Sequence, residues 1–180
     1  MTAILGSIRR ITLPQYRLVI SSGGAPEFEL NDTILTANPM PPLIASATAT
    51  EGFLVAGDAD YFSLTVVSGA FVTVSIFDFT PIGGPALDTM LGVFDPGGTL
   101  MGFDDDDGPA LLSSLAFIAP VGGTYSFAVT GFGDFDFDGT GHSETGPYRL
   151  VVSASVPEPS SMMLILTAMV FVGLRRRATQ

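Results

Sequence analysis

Short apolar runs separated by turn residues fill the middle of this sequence. The runs are rich in Val, Ile, Phe, Tyr and Thr, and Gly, Pro and Asp stand between them. β-Branched and aromatic side chains favour extended backbone, whereas Gly, Pro and Asp favour tight turns. Six strands are predicted on this basis: Tyr61 to Val66, Phe71 to Phe77, Met90 to Phe94, Leu115 to Ile118, Tyr125 to Thr130 and Tyr148 to Ser153.

Alternation within these runs indicates sheets with one buried face. In the second run, Val72, Val74 and Ile76 fall on one side of an extended chain, and Thr73 and Ser75 fall on the other. Six or more such strands without helical periodicity are typical of an all-β fold. We predict a two-sheet antiparallel β-sandwich, jelly-roll-like in its connections.

The chain divides into three parts of different composition. The sandwich is predicted over residues 25–154, between an atypical N-terminal segment, 1–24, and a C-terminal tail, 155–180. In the N-terminal segment, Pro14 and Arg17 interrupt the apolar run that follows Arg9 and Arg10. A signal peptide needs an uninterrupted apolar stretch, so this segment does not predict one and gives no support to export.

Acidic residues dominate the predicted domain. The chain has 18 Asp and Glu residues against 7 basic residues, and Arg149 is the only basic residue between Arg17 and Arg175. Such a surface repels nucleic acid and attracts cations. We therefore expect no nucleic-acid partner and expect Ca²⁺ as a tentative cofactor; the alternative is that the charge serves solubility alone. Because Cys is absent, disulfide and thiol chemistry are excluded.

The tail has three segments in a fixed order. A Pro-rich motif at 156–159 is followed by an apolar run at 162–174 and then by an arginine cluster. We predict a transmembrane helix over the apolar run, about 20 Å long and so shorter than the hydrocarbon core, with the arginines on the cytoplasmic side. A core helix of the domain is the alternative. The motif residues are Pro157, Glu158 and Pro159, and the membrane-stop residues are Arg175, Arg176 and Arg177.

This tail resembles the PEP-CTERM sorting signal, which combines a Pro-Glu-Pro motif, a short transmembrane helix and an Arg-rich end. The resemblance implies a Gram-negative bacterium, export across the inner membrane and recognition by an exosortase. It further implies cleavage near the motif and release toward the outer surface or an exopolysaccharide matrix. The implied partners are therefore an exosortase, the inner membrane as a transient anchor, and exopolysaccharide.

Two acidic clusters near the start of the domain could converge on a cation. In an extended chain, Glu27, Glu29 and Asn31 would point to one side. In the turn that enters the first predicted strand, Asp58 and Asp60 would also share one face. Converging oxygen ligands suit Ca²⁺.

These two clusters resemble the bacterial pre-peptidase C-terminal domain, which is related to collagen-binding modules of clostridial collagenases. The resemblance covers Glu27 to Ser153 and includes Phe94-Asp95-Pro96, a tripeptide that marks a group of PEP-CTERM proteins. The usual Pro after the second Glu is Leu30 here. The resemblance implies calcium ligands at Glu27, Glu29, Asn31, Asp32, Asp58 and Asp60. Many relatives keep these residues only to brace the loop by hydrogen bonds, which is the alternative.

Two further clusters are secondary candidates for metal ligands. Asp104, Asp105, Asp106 and Asp107 place four charges in a row, which indicates either a bound cation or a solvated loop. The series Asp134, Asp136 and Asp138 begins like a calcium loop. Its twelfth position is Thr145, with Glu144 one residue early, so the closing bidentate ligand is missing.

No catalytic residue is predicted. The single His142 lies in a near miss to a nucleophile elbow, and a glycosidase or zinc enzyme is poorly supported by a chain without Trp or Cys. We expect a non-catalytic, calcium-stabilised surface or matrix module. An alternative is a carbohydrate- or protein-binding adhesin that uses the loop from Phe132 to Asp138; a further alternative is a hydrolase.

Overall fold

The computed structural model describes residues 25–43, 46–78 and 86–156. The predictions for the N-terminal segment, the Pro-Glu-Pro residues, the transmembrane helix and the arginine cluster fall outside these ranges. Within them, nothing forms a helix with the length and apolar character that crossing a membrane requires.

Within the described residues, ten strands form two five-stranded sheets, which confirms the all-β prediction. All six predicted strands are present. The sequence does not predict β3, because it contains Ala, Glu and Gly, nor β7, which follows directly on a Gly turn. The strands are β1 (Ala25–Pro26), β2 (Asn38–Pro39), β3 (Ala47–Leu54), β4 (Asp60–Val66), β5 (Phe71–Asp78), β6 (Thr89–Phe94), β7 (Leu100–Asp104), β8 (Ser114–Ile118), β9 (Gly123–Gly131) and β10 (Gly146–Ser155).

The eight long strands form one long hairpin that is rolled up. Strand β6 pairs with β7, β5 with β8, β4 with β9 and β3 with β10, all antiparallel. Rolling brings β10 beside β5 and β9 beside β6, so the first sheet has the order β1-β3-β10-β5-β8 and the second β2-β4-β9-β6-β7. This nested pairing is a jelly roll. The two-residue strands β1 and β2 depart from it, because they pair in parallel with β3 and β4.

The main core lies between the two sheets. Val72, Val74 and Ile76 are fully buried there, as their alternation predicts, and Phe62 and Phe127 face them from the second sheet. Each such side chain stabilises the fold by about 1.5–3 kcal/mol through burial.

A second, smaller core covers the outer face of the second sheet. Tyr61 and Phe94 stand outward from the sheet and pack against Phe137, which arrives from the loop between β9 and β10. Phe137 is only 2% exposed, so this ring of the loop proposed for an adhesin is buried and cannot contact a ligand at the surface. The ring lies directly over Gly92, where an added Cβ would meet it at 2.8 Å.

The two ends of the sandwich differ sharply in charge. We call the end where β4 and β6 begin the acidic end, and the opposite end, where β10 finishes at Ser155, the exit end. Among the described residues of the exit-end loops, Asp95 is the only acidic one. The acidic end carries Asp58, Asp60, Asp88, Asp104, Asp105, Asp106, Asp107, Asp134, Asp136, Asp138 and Glu144.

We expect Gly92→Ala to lower the free energy of unfolding by about 1–3 kcal/mol, because the new methyl group overpacks against Phe137. Urea denaturation measures the loss. Gly102→Ala on the neighbouring strand is the matched control, since its Cβ would meet only a methyl group of Leu115 at an ordinary 3.5 Å. Equal stability of the two variants would contradict the role assigned to Gly92.

Candidate metal centre

The first acidic cluster lies where the chain crosses from one sheet to the other. Glu27 donates its backbone N–H to the carbonyl of Glu51 at 3.0 Å, and its carboxylate accepts the N–H of Phe53. Four residues later, the carbonyl of Asn31 accepts the N–H of Tyr61 at 2.9 Å. The segment is therefore held to β3 at one end and to β4 at the other.

The prediction of an extended strand here is wrong. Leu30 has a φ of 76°, which turns the chain and breaks the alternation. Asn31 is fully buried and Glu27 is half-buried, whereas Glu29 and Asp32 are exposed. Proline cannot adopt a positive φ, so the path that this loop takes at Leu30 would not accommodate proline at that position.

The second cluster is buried as well. A tight turn at Gly57, with a φ of 85°, leads to Asp58, which is 8% exposed, and to Asp60, which is 0% exposed. The hydroxyl of Tyr148 donates to Asp60 Oδ2 at 2.7 Å. The carbonyl of Asp58 accepts a hydrogen bond from the Thr130 hydroxyl at 3.0 Å.

Four side chains of these clusters each keep an oxygen atom that has no hydrogen-bond partner. The atoms are Glu27 Oε2, Asn31 Oδ1, Asp58 Oδ2 and Asp60 Oδ1, and all four are shielded from solvent. Buried polar atoms are nearly always paired in native proteins, because an unpaired one loses its hydration without compensation. Four such oxygens, three of them on carboxyl groups, are acceptors that a cation could satisfy.

Burial makes these carboxyl groups hard to ionise. It raises the pKa of Asp60 to about 9, with repulsion from Glu27 as the second cause. Burial is also the main cause of the raised pKa of Glu27 and of Asp58, and Asp32 adds repulsion at Asp58. The carboxyl groups of Glu27 and Asp60 are adjacent, so they can hydrogen-bond to each other when one of them is protonated, and their oxygens lack a partner when both are ionised. A divalent cation would replace that proton and relieve the repulsion.

The donor set fits Ca²⁺ better than a transition metal. Ca²⁺ binds six to eight oxygens at about 2.3–2.6 Å in flexible geometry, and no sulfur or imidazole is needed. The carboxylates of Glu27, Asp58 and Asp60 are not drawn together as tightly as those of Asp134, Asp136 and Asp138, whose oxygens lie within 4.8 Å of one another. Binding a cation among the first three would thus require the loops to close slightly.

In the Asp134 cluster, local hydrogen bonds account for the buried carboxylate. Asp134 is fully buried and accepts from the Thr130 hydroxyl at 2.8 Å and from Gly139 N–H at 2.9 Å. Asp136 and Asp138 are exposed, and hydrogen bonds from Thr140 lower the pKa of Asp138. This arrangement braces the loop that positions Phe137.

The run from Asp104 to Asp107 also begins with a structural residue. Asp104 Oδ2 accepts the N–H of Asp107 at 3.1 Å and that of Ser114 at 2.8 Å, which joins the end of β7 to the start of β8. Asp105 and Asp106 repel the carboxylate of Asp88 and, after desolvation and Glu144, contribute to its raised pKa. The run is thus separate from the first two clusters.

The sequence analysis does not identify Tyr148 as part of the site. Its ring is 1% exposed and lies over Gly52, where a Cβ would come within 2.3 Å of the hydroxyl. Gly52 and Tyr148 face each other only because β3 and β10 pair in this register. The sequence around either residue does not indicate this contact. It follows from the pairing of two strands that lie about a hundred positions apart in the chain.

Two other predicted features have structural partners. His142 Nε2 lies 2.8 Å from the carbonyl oxygen of Asp58, and its Nδ1 accepts the N–H of Glu144 at 3.2 Å. Both ring nitrogens therefore face the backbone.

In the loop proposed for an adhesin, Phe132 and Phe135 are 48% and 57% exposed and contact each other, and Phe103 contacts Phe135.

Comparison with known proteins identifies a sorting motif in the tail and finds solved structures to which the sandwich is similar. Residues 155–177 match the PEP-CTERM protein-sorting motif. No curated protein sequence matches the chain.

Two solved structures illustrate what the sandwich is similar to. One is Aeromonas hydrophila PliG, a periplasmic lysozyme inhibitor of g-type lysozyme, at 19% identity and a TM-score of 0.46, over 66% of this chain and 96% of that one. Another is the pre-peptidase C-terminal domain of collagenase from Bacillus anthracis, at 15% identity and a TM-score of 0.41, over 66% and 94%. The chain is thus a β-sandwich protein that carries a PEP-CTERM sorting motif at its C-terminal end.

Proposed function

We propose that this chain is an exported, non-catalytic surface or matrix module whose sandwich is stabilised by Ca²⁺. Glu27, Asn31, Asp58 and Asp60 would be the inner ligands. The observation that carries the calcium proposal is their four shielded oxygens without partners. Glu29 and Asp32, exposed beside them, would face the cation from the solvent side.

A cation at this position would act as a cross-link between the sheets. Glu27 is attached to β3 in the first sheet, and Asp60 begins β4 in the second. Ligands from both sheets make binding and folding one equilibrium, because the unfolded chain does not hold these oxygens together. This is a structural use of the metal and requires no substrate.

Export is supported by the sorting motif. The motif at 155–177 begins at the end of β10, so the sandwich and the tail are adjacent in the chain. We propose that the apolar run at 162–174 holds the protein in the inner membrane until an exosortase acts near Pro157-Glu158-Pro159. The released sandwich would then reach the outer surface or an exopolysaccharide matrix.

Calcium should raise the melting temperature of the full chain in detergent by several degrees, and EDTA should reverse the shift. A ligand at a hundred times its Kd stabilises the native state by about 2.7 kcal/mol. Asp60→Asn should abolish the response, because it keeps the shape of the side chain and removes the carboxyl group that would ligate the cation. The measurement is a thermal melt followed by circular dichroism.

Asp136→Asn is the matched control for this experiment. It makes the same chemical change in an exposed acid of another cluster, so its calcium response should equal that of the unaltered protein. A melting temperature that ignores both Ca²⁺ and EDTA, or a response lost in Asp136→Asn and kept in Asp60→Asn, would contradict the proposed site.

The metal-free protein should lose stability as pH rises from about 4 to about 9. The Asp60 pKa is raised from 3.8 to about 9 on folding, so in this window the folded state binds a proton that the unfolded state has released. Stability then falls by up to about 1.4 kcal/mol per pH unit for this one group. Urea denaturation in EGTA at several pH values measures the slope.

Two comparisons isolate Asp60 within that pH profile. Asp60→Asn should flatten the slope, while Asp107→Asn, the same change at an exposed acid of another cluster, should leave it unchanged. Saturating Ca²⁺ should also remove the loss at high pH, since the cation favours the ionised carboxylate. A slope that is the same in Asp60→Asn and in the unaltered chain would show that Asp60 does not hold the proton.

In a host with an exosortase, Glu158→Ala should block removal of the tail, whereas Ser160→Ala should be processed normally. The substitution alters the motif and leaves the apolar run unchanged. Intact-mass measurement of membrane and released fractions distinguishes the full chain from the shortened product. Equal processing of both variants would contradict recognition through Pro157-Glu158-Pro159.

A further inference from the structure

The tail leaves the sandwich beside a pair of exposed apolar residues. Ser155, the last residue of β10, is the register partner of Phe71 at the start of β5. On its other side, Phe71 pairs with Ile118, the last residue of β8. Since Val72 is buried, Phe71 points away from the core, and it is 47% exposed.

Neighbouring loops extend this apolar surface around the exit end. Ile118 is 65% exposed, Val67 is 55% exposed, Val121 is 53% exposed, and Val156, the first residue after β10, is 54% exposed. We call these four residues together with Phe71 the exit face.

Hydrogen bonds hold the exit face in one shape. The loop that contains Val67 and the loop that contains Val121 are joined at three points. Gly69 N–H donates to the Ala119 carbonyl at 2.8 Å, Ala119 N–H donates to the Ala70 carbonyl at 2.9 Å, and the Ser68 hydroxyl donates to the Pro120 carbonyl at 3.1 Å. The face is therefore formed before any partner arrives.

Charge separates the exit face from the other exposed apolar residues. Phe53 lies beside an acid, because its backbone N–H donates to the carboxylate of Glu27. Phe135 lies between Asp134 and Asp136 in the sequence. Among the described residues of the exit-end loops, in contrast, Asp95 is the only acid. A bilayer surface that contains anionic lipid repels carboxylates and accepts apolar side chains. Of the two ends, only the exit end meets both conditions.

The length of the connecting chain places this face near the membrane. Residues 156–161 separate β10 from the apolar run at 162–174. Six residues span at most about 20 Å even when fully extended. With the run inserted, the exit face therefore cannot move farther than this from the bilayer, and the short connection gives a high effective concentration there.

We propose that the exit face rests on the lipid bilayer while the tail is inserted. The inference depends on the membrane insertion in the proposed function and adds an orientation to it. The sandwich then stands with its acidic end and the candidate metal centre away from the membrane. Pro157-Glu158-Pro159 is held at the interface, where a membrane enzyme could reach it.

Single-cysteine labelling can test this orientation, because the chain has no Cys of its own. The full chain carrying Val121→Cys or Phe135→Cys is labelled with an environment-sensitive fluorophore and reconstituted in phosphatidylethanolamine–phosphatidylglycerol vesicles. The two positions have similar exposure, 53% and 57%. Nitroxide-bearing lipid should quench the label at position 121 at least about twofold more than the label at position 135, because interfacial groups enter the bilayer by about 5–10 Å.

A pair of double variants links the effect to the face itself. With the label at position 121, Phe71→Ser with Ile118→Ser should reduce quenching to the level measured at position 135. Phe132→Ser with Phe135→Ser removes two exposed rings at the acidic end and should leave quenching unchanged. All four changes are at exposed side chains, and equal melting temperatures would show that the fold is intact.

Flotation of the vesicles separates the two proposals. If the unaltered chain does not float with vesicles, the proposed insertion of the tail is wrong and this inference falls with it. If the chain floats and the labels at positions 121 and 135 are quenched equally, the insertion stands and the orientation is overturned. The label at position 121 could instead be shielded from water without being quenched by nitroxide lipid. If that shielding increases with the number of protein molecules per vesicle, a second copy covers the exit face, and the proposed orientation is overturned.

Discussion

The hydrogen bond that Tyr148 in β10 donates to Asp60 at the start of β4 joins the two sheets at the acidic end. The contact also packs the Tyr148 ring edge-on against Phe62. It puts a carboxyl group at the boundary between the sheets, where water cannot reach it. Glu27 and Asp58 lie close enough to this buried group to raise its pKa by repulsion.

A buried carboxyl group constrains the chain in a way that an apolar residue would not. The site must either stay protonated or meet a positive charge, since an isolated buried anion is very unfavourable. Among the described residues, the one arginine, Arg149, pairs with Glu51, and His142 faces the backbone of Asp58 and Glu144 with its two ring nitrogens. The surrounding acids favour the second solution, and the proposed divalent ion would supply that charge to the unpartnered oxygens of Glu27, Asn31, Asp58 and Asp60.

The same distribution of charge gives the sandwich a direction. A rolled hairpin sends its connections alternately to opposite ends, so acids placed in alternate loops collect at one end. In this chain the turns at Asp58, Asp104 and Asp134 fall on one end, and the chain leaves from the other. Because the acids lie in alternate loops, the topology gives the sandwich one anionic end and one nearly neutral end.

The sequence by itself determined six strands of the main sheets, the sorting motif and the identity of the acids that could bind a cation. These depend on local backbone preference and on residue order, which neighbouring positions suffice to show. It could not show that Leu30 would turn the chain so that Asn31 is buried and Glu29 exposed. Nor could it show that Gly52 leaves room for Tyr148. Those outcomes depend on the register of strands far apart in the chain, and only tertiary packing determines which oxygens lose their water.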